Sequence, residues 1–239
     1  MEINLYPCFK HWFYNSRASK NSIWLFSDPH FADKDSQFFR KNYIGDDELV
    51  KRINSKISKN DTLICLGDVG DITFIKKLRG YKVLVMGNHD SGASNYKRVV
   101  KEIEHNSDTC PHCGAKVTYD LATFNNMGFG WAWCSQCGSV KPKPDVEIDN
   151  HLFDEVYEGT LQISPKIILS HEPINYKYCF NIHGHDHSGY SEENHLNLCV
   201  EHINYTPVTL TAIIKKGVLK NIPDIHKETI CAATEKKNK

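Results

Sequence analysis

Residues 22–30 read Ser-Ile-Trp-Leu-Phe-Ser-Asp-Pro-His, a short apolar run that stops at an Asp-x-His pair. An apolar run of this length is typical of a buried strand. In extended backbone, side chains two positions apart point to the same side, so Asp28 and His30 can reach one site. The stretch therefore predicts a buried strand that carries metal ligands at its carboxyl end.

The same combination of an apolar run and a polar motif recurs along the chain. Further predicted strands are followed by Gly67-Asp68, by Gly87-Asn88-His89-Asp90, by His171 and by Gly184-His185-Asp186-His187. Helical spacing of apolar residues predicts helices between the first strands, at residues 46–58, 72–78 and 96–104. After residue 150 the pattern turns to strands, including 196–201 and 208–214. An α/β layered fold places ligand sites at the carboxyl ends of strands, which is where these motifs fall.

The candidate ligands are carboxylates, imidazoles and one amide, without cysteine. They are Asp28, His30, Asp68, Asn88, His171, His185 and His187. Seven ligands suit two ions that keep open positions for water and substrate, and ligands of this kind suit Mn, Fe, Zn, Co or Ni. Two cations about 3.5–4 Å apart would acidify a shared water and clamp both oxygens of an in-line displacement. The set therefore favours hydrolysis of a phosphomonoester or phosphodiester by a metal-bridging hydroxide.

Two neighbours of Asn88 are candidates for the chemistry itself. His89 can protonate the leaving oxygen or stabilise charge on the phosphoryl group, and Asp90 can hold the His89 imidazole in the useful tautomer. Asp71 can be read either as a further ligand or as the cap of the helix that begins at Ile72, and the cap is the favoured interpretation.

The motif series resembles that of the calcineurin-like metallophosphoesterases, and the resemblance runs from about residue 23 to about residue 208. It implies a β-sandwich flanked by helices on both sides. It also implies that Asp68 bridges the two metals and that His89 is the catalytic histidine. The implied ligands of one metal are Asp28, His30, Asp68 and His187, and those of the other are Asp68, Asn88, His171 and His185.

Two departures separate this chain from the phosphoprotein phosphatases of that superfamily. Those enzymes carry an Arg just after the acid of the second motif and Gly-Asn-His-Glu in the third. This chain has Asp71-Ile72 and Gly-Asn-His-Asp at those places. The resemblance therefore favours the small bacterial and phage-type phosphoesterases, with a nucleotide or a single-stranded nucleic-acid end among the expected substrates.

Residues 105–149 interrupt the pattern with two Cys-x-x-Cys pairs separated by twenty residues. The four thiols are Cys110, Cys113, Cys134 and Cys137. This spacing is typical of one structural zinc held by a ribbon-like module, and two disulfides are the alternative. We therefore expect a main domain formed by residues 1–104 and 150–231, an inserted module at 105–149, and a disordered tail at 232–239.

The aromatic residues of this insert allow two interpretations. Trp131 and Trp133 alternate, so one face of a strand would be aromatic and could stack on nucleobases. Packing beneath a small zinc-stapled module is the favoured alternative, because such a module has little other core.

Composition excludes several function classes. The 29 basic and 29 acidic residues balance, so a strongly basic footprint for duplex nucleic acid is absent. No stretch approaches the roughly 20 apolar residues of a membrane span, and the first residues lack the apolar core of a secretion signal. We therefore expect a cytoplasmic protein that does not enter membranes. The rival to an enzyme is a non-enzymatic module that binds nucleic acid or protein on a phosphoesterase scaffold.

Overall fold

The computed structural model describes most of the chain, and most of the residues it leaves out belong to the insert. The described residues are 4–13, 22–40, 42–97, 99–104, 110, 112–113, 115, 117–119, 132–140, 146–189 and 191–237. They divide into two compact units, one of residues 1–98 with 151–239 and one of residues 99–150.

The first unit contains two sheets. Its strands in chain order are β1 (Ile23–Phe26), β2 (Thr62–Cys65), β3 (Tyr81–Val85), and, after the second unit, β9 (Glu155–Tyr157), β10 (Leu161–Ser164), β11 (Ile167–Leu169), β12 (Phe180–His183), β13 (His195–Asn197) and β14 (Val208–Thr209). One sheet has the order β14-β1-β2-β3-β9, in which only β14 is antiparallel to its neighbour. The other has the order β10-β11-β12-β13, with the last three strands parallel.

Helices accompany these sheets. They are α1 (Lys34–Phe39), α2 (Asp46–Lys56), α3 (Ala93–Tyr96), α4 (Leu210–Lys215), α5 (Ile225–Lys237) and two 3-10 helices, Pro7–Phe13 and Ile72–Lys77. None of the helices in the described part of the chain combines the length and hydropathy needed to cross a bilayer.

Two apolar clusters account for the layering. Ile64 of β2 belongs to a buried cluster that joins the facing sides of the two sheets, whereas Leu63 and Cys65 belong to a second cluster on the outer side of the first sheet. That second cluster also contains Leu49 and Ile53, the apolar stripe of α2. Because β2 is buried on both faces, its sequence is continuously apolar, as expected of a parallel strand. The predicted mixed α/β fold with two sheets is confirmed.

Two local predictions were wrong. Residues 96–104 were expected to be helical, but α3 ends at Tyr96 and β4 occupies Val99–Glu104, because adjacent valines favour extended backbone. Residues 208–214 were expected to form a strand, but β14 stops at Thr209, whose side chain accepts a hydrogen bond from Ala212 N and caps α4.

The tail at residues 232–239 was expected to be disordered. The structure continues α5 from Ile225 to Lys237. The segment is rich in Ala, Glu and Lys, which are polar or small but are also good helix formers.

The second unit is built from short strands. These are β4, β5 (Val117–Tyr119), β6 (Ala132–Cys134), β7 (Gly138–Val140) and β8 (Val146–His151). β5, β6 and β7 form an antiparallel sheet, and β4 pairs with β8. Trp131 lies outside the described residues, as does the side chain of Trp133, so the two interpretations of the aromatic face both remain predictions.

Candidate metal centre

The parallel strands bring the predicted motifs to one edge of the molecule. Strand β1 pairs in register with β2, and Asp28 N donates to Gly67 O at 3.1 Å just beyond their ends. Strand β12 of the other sheet delivers its own motif to the same edge, where His185 N donates to Asp28 Oδ2 at 2.9 Å. Residues far apart in sequence therefore meet because their strands end together.

One group of ligands consists of Asp28, His30 and His187, whose candidate atoms lie within 4.8 Å of one another. His30 Nε2 lies 3.9 Å and His187 Nε2 lies 3.7 Å from the same atom, Asp28 Oδ1. Asp28 is fully buried and His30 is 5% exposed. The group therefore offers one carboxylate and two imidazoles to a common point.

A second group consists of Asp68, His171 and His185, again within 4.8 Å. Asn88 Oδ1 lies 2.8 Å from His171 Nε2 and 3.1 Å from His185 Nδ1, so the amide oxygen belongs to this group as well. The set of one carboxylate, one amide and two imidazoles is the one that the sequence motifs imply for a second cation.

Asp68 lies between the two groups. Its Oδ2 is 3.5 Å from His30 Nε2 in the first group and 3.4 Å from His171 Nε2 in the second. Asp68 is 2% exposed, so its charge is withdrawn from water at the point where the groups meet. A carboxylate in this position can contact two cations at once.

The backbone at these positions is strained. Four ligands have positive φ, namely Asp28 at 56°, His30 at 43°, Asp68 at 53° and His185 at 67°. Non-glycine residues in this region cost of order 1 kcal/mol or more each, and such strain concentrates at functional sites. Asp28 and His30 therefore reach one site from a turn, and not from the extended backbone that the sequence argument assumed.

Two glycines are required by the close approach of the ligand loops. A Cβ at Gly87 would lie 2.3 Å from Asp68 Oδ1, and one at Gly184 would lie 2.1 Å from Asp28 Oδ2. Both contacts are far below van der Waals distance, so any side chain at either position would displace a ligand.

Divalent cations fit this arrangement. Asp28 Oδ1 and His30 Nε2 are buried and have no hydrogen-bond partner. A buried polar atom without a hydrogen-bond partner lowers protein stability by about 1–3 kcal/mol. A cation bound between these two atoms would remove that penalty. Nitrogen and oxygen donors around such a point match Mn, Fe, Zn, Co or Ni.

The pKa values of the histidines respond to these carboxylates. Burial lowers the pKa of His171, but the hydrogen bond with Asp68 and the charges of Asp28 and Asp68 outweigh burial and raise it to about 9. The hydrogen bond with Glu201 raises the pKa of His187, against the effect of burial. For His30 burial dominates and lowers the pKa. In the metal-free protein, His171 therefore carries a proton at neutral pH where a cation would bind.

Metal binding is expected to strengthen as pH rises from 7 to 9, because a cation must displace the proton of His171. The limit for one proton is about tenfold in affinity per pH unit. The raised pKa of His171 has the opposite effect on the stability of the metal-free protein. Its contribution to the free energy of unfolding is fully present below the ordinary pKa of histidine and is lost as pH rises through 9. Mn²⁺ titration calorimetry at pH 7, 8 and 9, in two buffers of different ionisation enthalpy, measures affinity and proton release. A pH-independent affinity without proton release would contradict this expectation.

His89 lies beside the first ligand group with its side chain exposed. The His89 ring lies 5.7 Å from the His30 ring, centroid to centroid, and its backbone N donates to Asp68 Oδ1 at 3.0 Å. Its side chain is exposed beside the metal ligands, so it can reach a substrate.

The predicted role of Asp90 requires correction. Its Oδ2 accepts hydrogen bonds from the backbone N–H groups of Asp68 and Gly87, at 2.9 and 2.8 Å. Its Oδ1 accepts from Val69 N at 3.0 Å and from the Tyr96 hydroxyl at 3.1 Å. The carboxylate is therefore used to join two ligand loops and does not orient the His89 imidazole. Adjacency in sequence suggested the pairing, but the turn after β3 directs the two side chains to different partners.

The cap interpretation of Asp71 agrees with the structure. Asp71 caps the 3-10 helix Ile72–Lys77 by accepting from Thr73 N at 2.8 Å, as favoured. His183 is buried, and its Nε2 lies 3.0 Å from His195 Nδ1. It belongs to neither ligand group.

Sequence reasoning missed two residues that support the first group. Glu201 Oε1 lies 3.1 Å from His187 Nδ1, and it forms a 2.6 Å ion pair with Arg40 Nε. Arg40 also donates to the backbone carbonyls of Asp28 and Pro29, at 2.6 and 2.9 Å. A carboxylate on the second nitrogen of a metal-binding histidine fixes its tautomer and orientation. No local motif marked either residue.

The four cysteines of the insert form a separate cluster. Their sulfurs lie within 4.8 Å of one another, and Cys113 Sγ is 3.5 Å from Cys134 Sγ. These four described cysteines form no disulfide. A tetrahedral zinc with Zn–S bonds of about 2.3 Å places its sulfurs about 3.8 Å apart, close to these separations. Backbone amides of Gln136 and Cys137 lower the pKa of Cys134 to about 7, whereas the hydrogen bond with Cys113 raises the pKa of Cys137.

Comparison with known proteins identifies the family of this chain. The model of the calcineurin-like phosphoesterase family matches residues 22–197, and the chain belongs to that family. A protein of unknown function from Aquifex aeolicus, AQ665, is similar in structure, with 19% identity and a TM-score of 0.46. The match covers 82% of this chain and 99% of that one. No curated protein sequence matches this chain significantly.

Proposed function

We propose that the protein hydrolyses a phosphomonoester or phosphodiester of a nucleotide or of a single-stranded nucleic-acid end, using two divalent cations. The position of Asp68 carries the proposal, because one buried carboxylate oxygen faces a histidine of each ligand group, at 3.5 and 3.4 Å. When bound, the cations would activate water and neutralise charge on the phosphoryl oxygens.

The residues of the chain have distinct parts in this reaction. The two ligand groups hold the cations on either side of Asp68, and the glycines at positions 87 and 184 let the loops approach. His89 is exposed beside His30 and is placed to protonate the leaving oxygen. Asp90, Glu201 and Arg40 hold the ligands in place.

Replacing His89 with Ala is expected to lower kcat by about 10²–10⁴-fold, the usual contribution of a general acid. Both proteins would be assayed for hydrolysis of bis-p-nitrophenyl phosphate with Mn²⁺, and their metal content measured. The variant should still hold two cations, because His89 is not a ligand. Absence of wild-type turnover with every divalent metal tested, in protein shown to hold two ions at this site, would favour a non-enzymatic binding module.

We also propose that the cysteine cluster holds one structural zinc. About one zinc per chain should remain after a mild chelator has removed the cations of the Asp68 centre, and Cys134→Ser should lose it. Cys179→Ser is the matched control, since Cys179 is a buried thiol that lies outside the cluster. Recovery of two disulfides from freshly purified protein would contradict the proposal.

A further inference from the structure

Two aromatic side chains of α1 are exposed to solvent beside the metal centre. Phe38 is 84% and Phe39 is 80% exposed, and their rings meet edge to face with centroids 5.4 Å apart. They are the most exposed large apolar side chains among the described residues. Exposed aromatic rings of this kind mark binding sites more often than they contribute to stability.

The short helix that carries them is tied to the ligand loop at both ends. At its start, Asp33 caps α1 through Asp35 N and Ser36 N, and Asp33 Oδ2 lies 3.3 Å from His30 Nδ1. At its end, Arg40 holds the carbonyls of residues 28 and 29. The position of α1 is therefore set by the same loop that positions the first ligand group.

Phe39 lines a cleft that reaches that group. The cleft has a volume of about 530 Å³ and is lined by Ser36, Phe39, Arg40, His187, Ser188 and Glu201. Within it, the charges of Arg40 and Glu201 are paired with each other at 2.6 Å. The cleft thus presents an aromatic face and two hydroxyls next to a metal ligand, and its volume is in the range of small-molecule sites.

We propose that Phe39 stacks on the nucleobase of a nucleotide substrate whose phosphate lies at the metal centre. This proposal rests on the proposed function and assigns a residue to its substrate class. A nucleobase has the flat face that an exposed phenyl ring accepts, and stacking is tolerant of base identity because every base has a π-face. The edge of Phe38 against Phe39 limits the orientations of the stacking ring. An uncharged base also fits a cleft whose ionic groups already neutralise each other.

The test compares substrates that differ only by the base. Wild type, Phe39→Ala and Phe39→Trp are assayed on adenosine 5′-monophosphate and ribose 5-phosphate, and on a dinucleotide and its abasic analogue. Ile230→Ala is the control, because Ile230 is an apolar side chain of α5 that is 66% exposed and does not line the cleft. Since Phe39 is exposed, its removal should leave folding unchanged, which a melting curve verifies.

Phe39→Ala should lower kcat/KM on the base-bearing substrates by about tenfold or more, mainly through KM, since stacking of one base contributes this order of binding. On the base-free substrates, kcat/KM of Phe39→Ala should change by less than about twofold, because there is no base to stack. Phe39→Trp should retain activity on all substrates. Equal losses with and without the base, or no loss with it, would overturn the proposal. So would a loss of self-association in Phe39→Ala, because a second copy would then be the occupant.

Failure of the proposed function gives a different result. If the wild type hydrolyses none of these esters, equilibrium binding of adenosine 5′-monophosphate and ribose 5-phosphate still tests the subsite. Tighter binding of the nucleotide that is lost in Phe39→Ala would support the stacking residue without hydrolysis. Equal binding of the two ligands would overturn it.

Discussion

Asp68→Asn is expected to lower kcat/KM for phosphoester hydrolysis by about a thousandfold, because loss of the shared ligand removes cations that would stabilise transition-state charge. The amide loses the negative charge that lies between the two ligand groups. Two cations would then face each other in a buried site with less compensation, so the protein should hold one ion at most at this centre. Steady-state kinetics with Mn²⁺ and metal analysis by mass spectrometry measure both effects.

Asp71→Asn is the matched control for this substitution. Asp71 lies three residues further on and caps the 3-10 helix Ile72–Lys77. Asparagine caps helices about as well as aspartate does, so turnover should stay within about twofold. Two ions and near-normal turnover in Asp68→Asn would show that Asp68 is not the shared ligand.

Asp90→Ala is expected to lower the free energy of unfolding by roughly 3–5 kcal/mol, because hydrogen bonds to a charged group contribute about 1.5–3 kcal/mol each and are not additive. The substitution leaves the backbone N–H groups of Gly87, Asp68 and Val69 without their acceptor. Activity should fall as well, since two of these amides belong to ligand loops. Urea unfolding of the metal-free protein measures the loss.

Tyr96→Phe provides a graded comparison, because it removes the hydroxyl that donates to Asp90 Oδ1 at 3.1 Å and accepts a longer bond from Ser91 N at 3.4 Å. Its cost should be about 1.5–3 kcal/mol, the net value of one hydrogen bond to a charged group. If Asp90 instead served His89, Asp90→Ala would alter the pH dependence of kcat and leave unfolding nearly unchanged. That result would restore the role suggested by adjacency in sequence.

The ligand set was predictable because each member belongs to a short local pattern. An apolar run that ends in Asp28-x-His30 or in Gly184-His185-x-His187 predicts both a strand and the polar side chains at its end. Parallel strands end at one edge of a sheet, which brings together the motifs that follow β1, β2 and β3. The contact between His185 and Asp28 joins two different sheets, so it depends on how those sheets pack. The local predictions that were wrong, at residues 96–104 and 208–214, lie where strand and helix propensities compete over a few residues.

The sequence by itself determined the class of fold, the chemistry of the ligands and the presence of a cysteine cluster in the insert. Only the tertiary structure decided how the supporting residues are used. Asp90 joins the ligand loops, Glu201 and Arg40 hold His187 and the loop after β1, and Phe39 faces the cleft. The physical reason is that candidate metal ligands can be recognised from short local motifs. The partner of a charged or aromatic side chain, in contrast, depends on which strands and helices pack beside it.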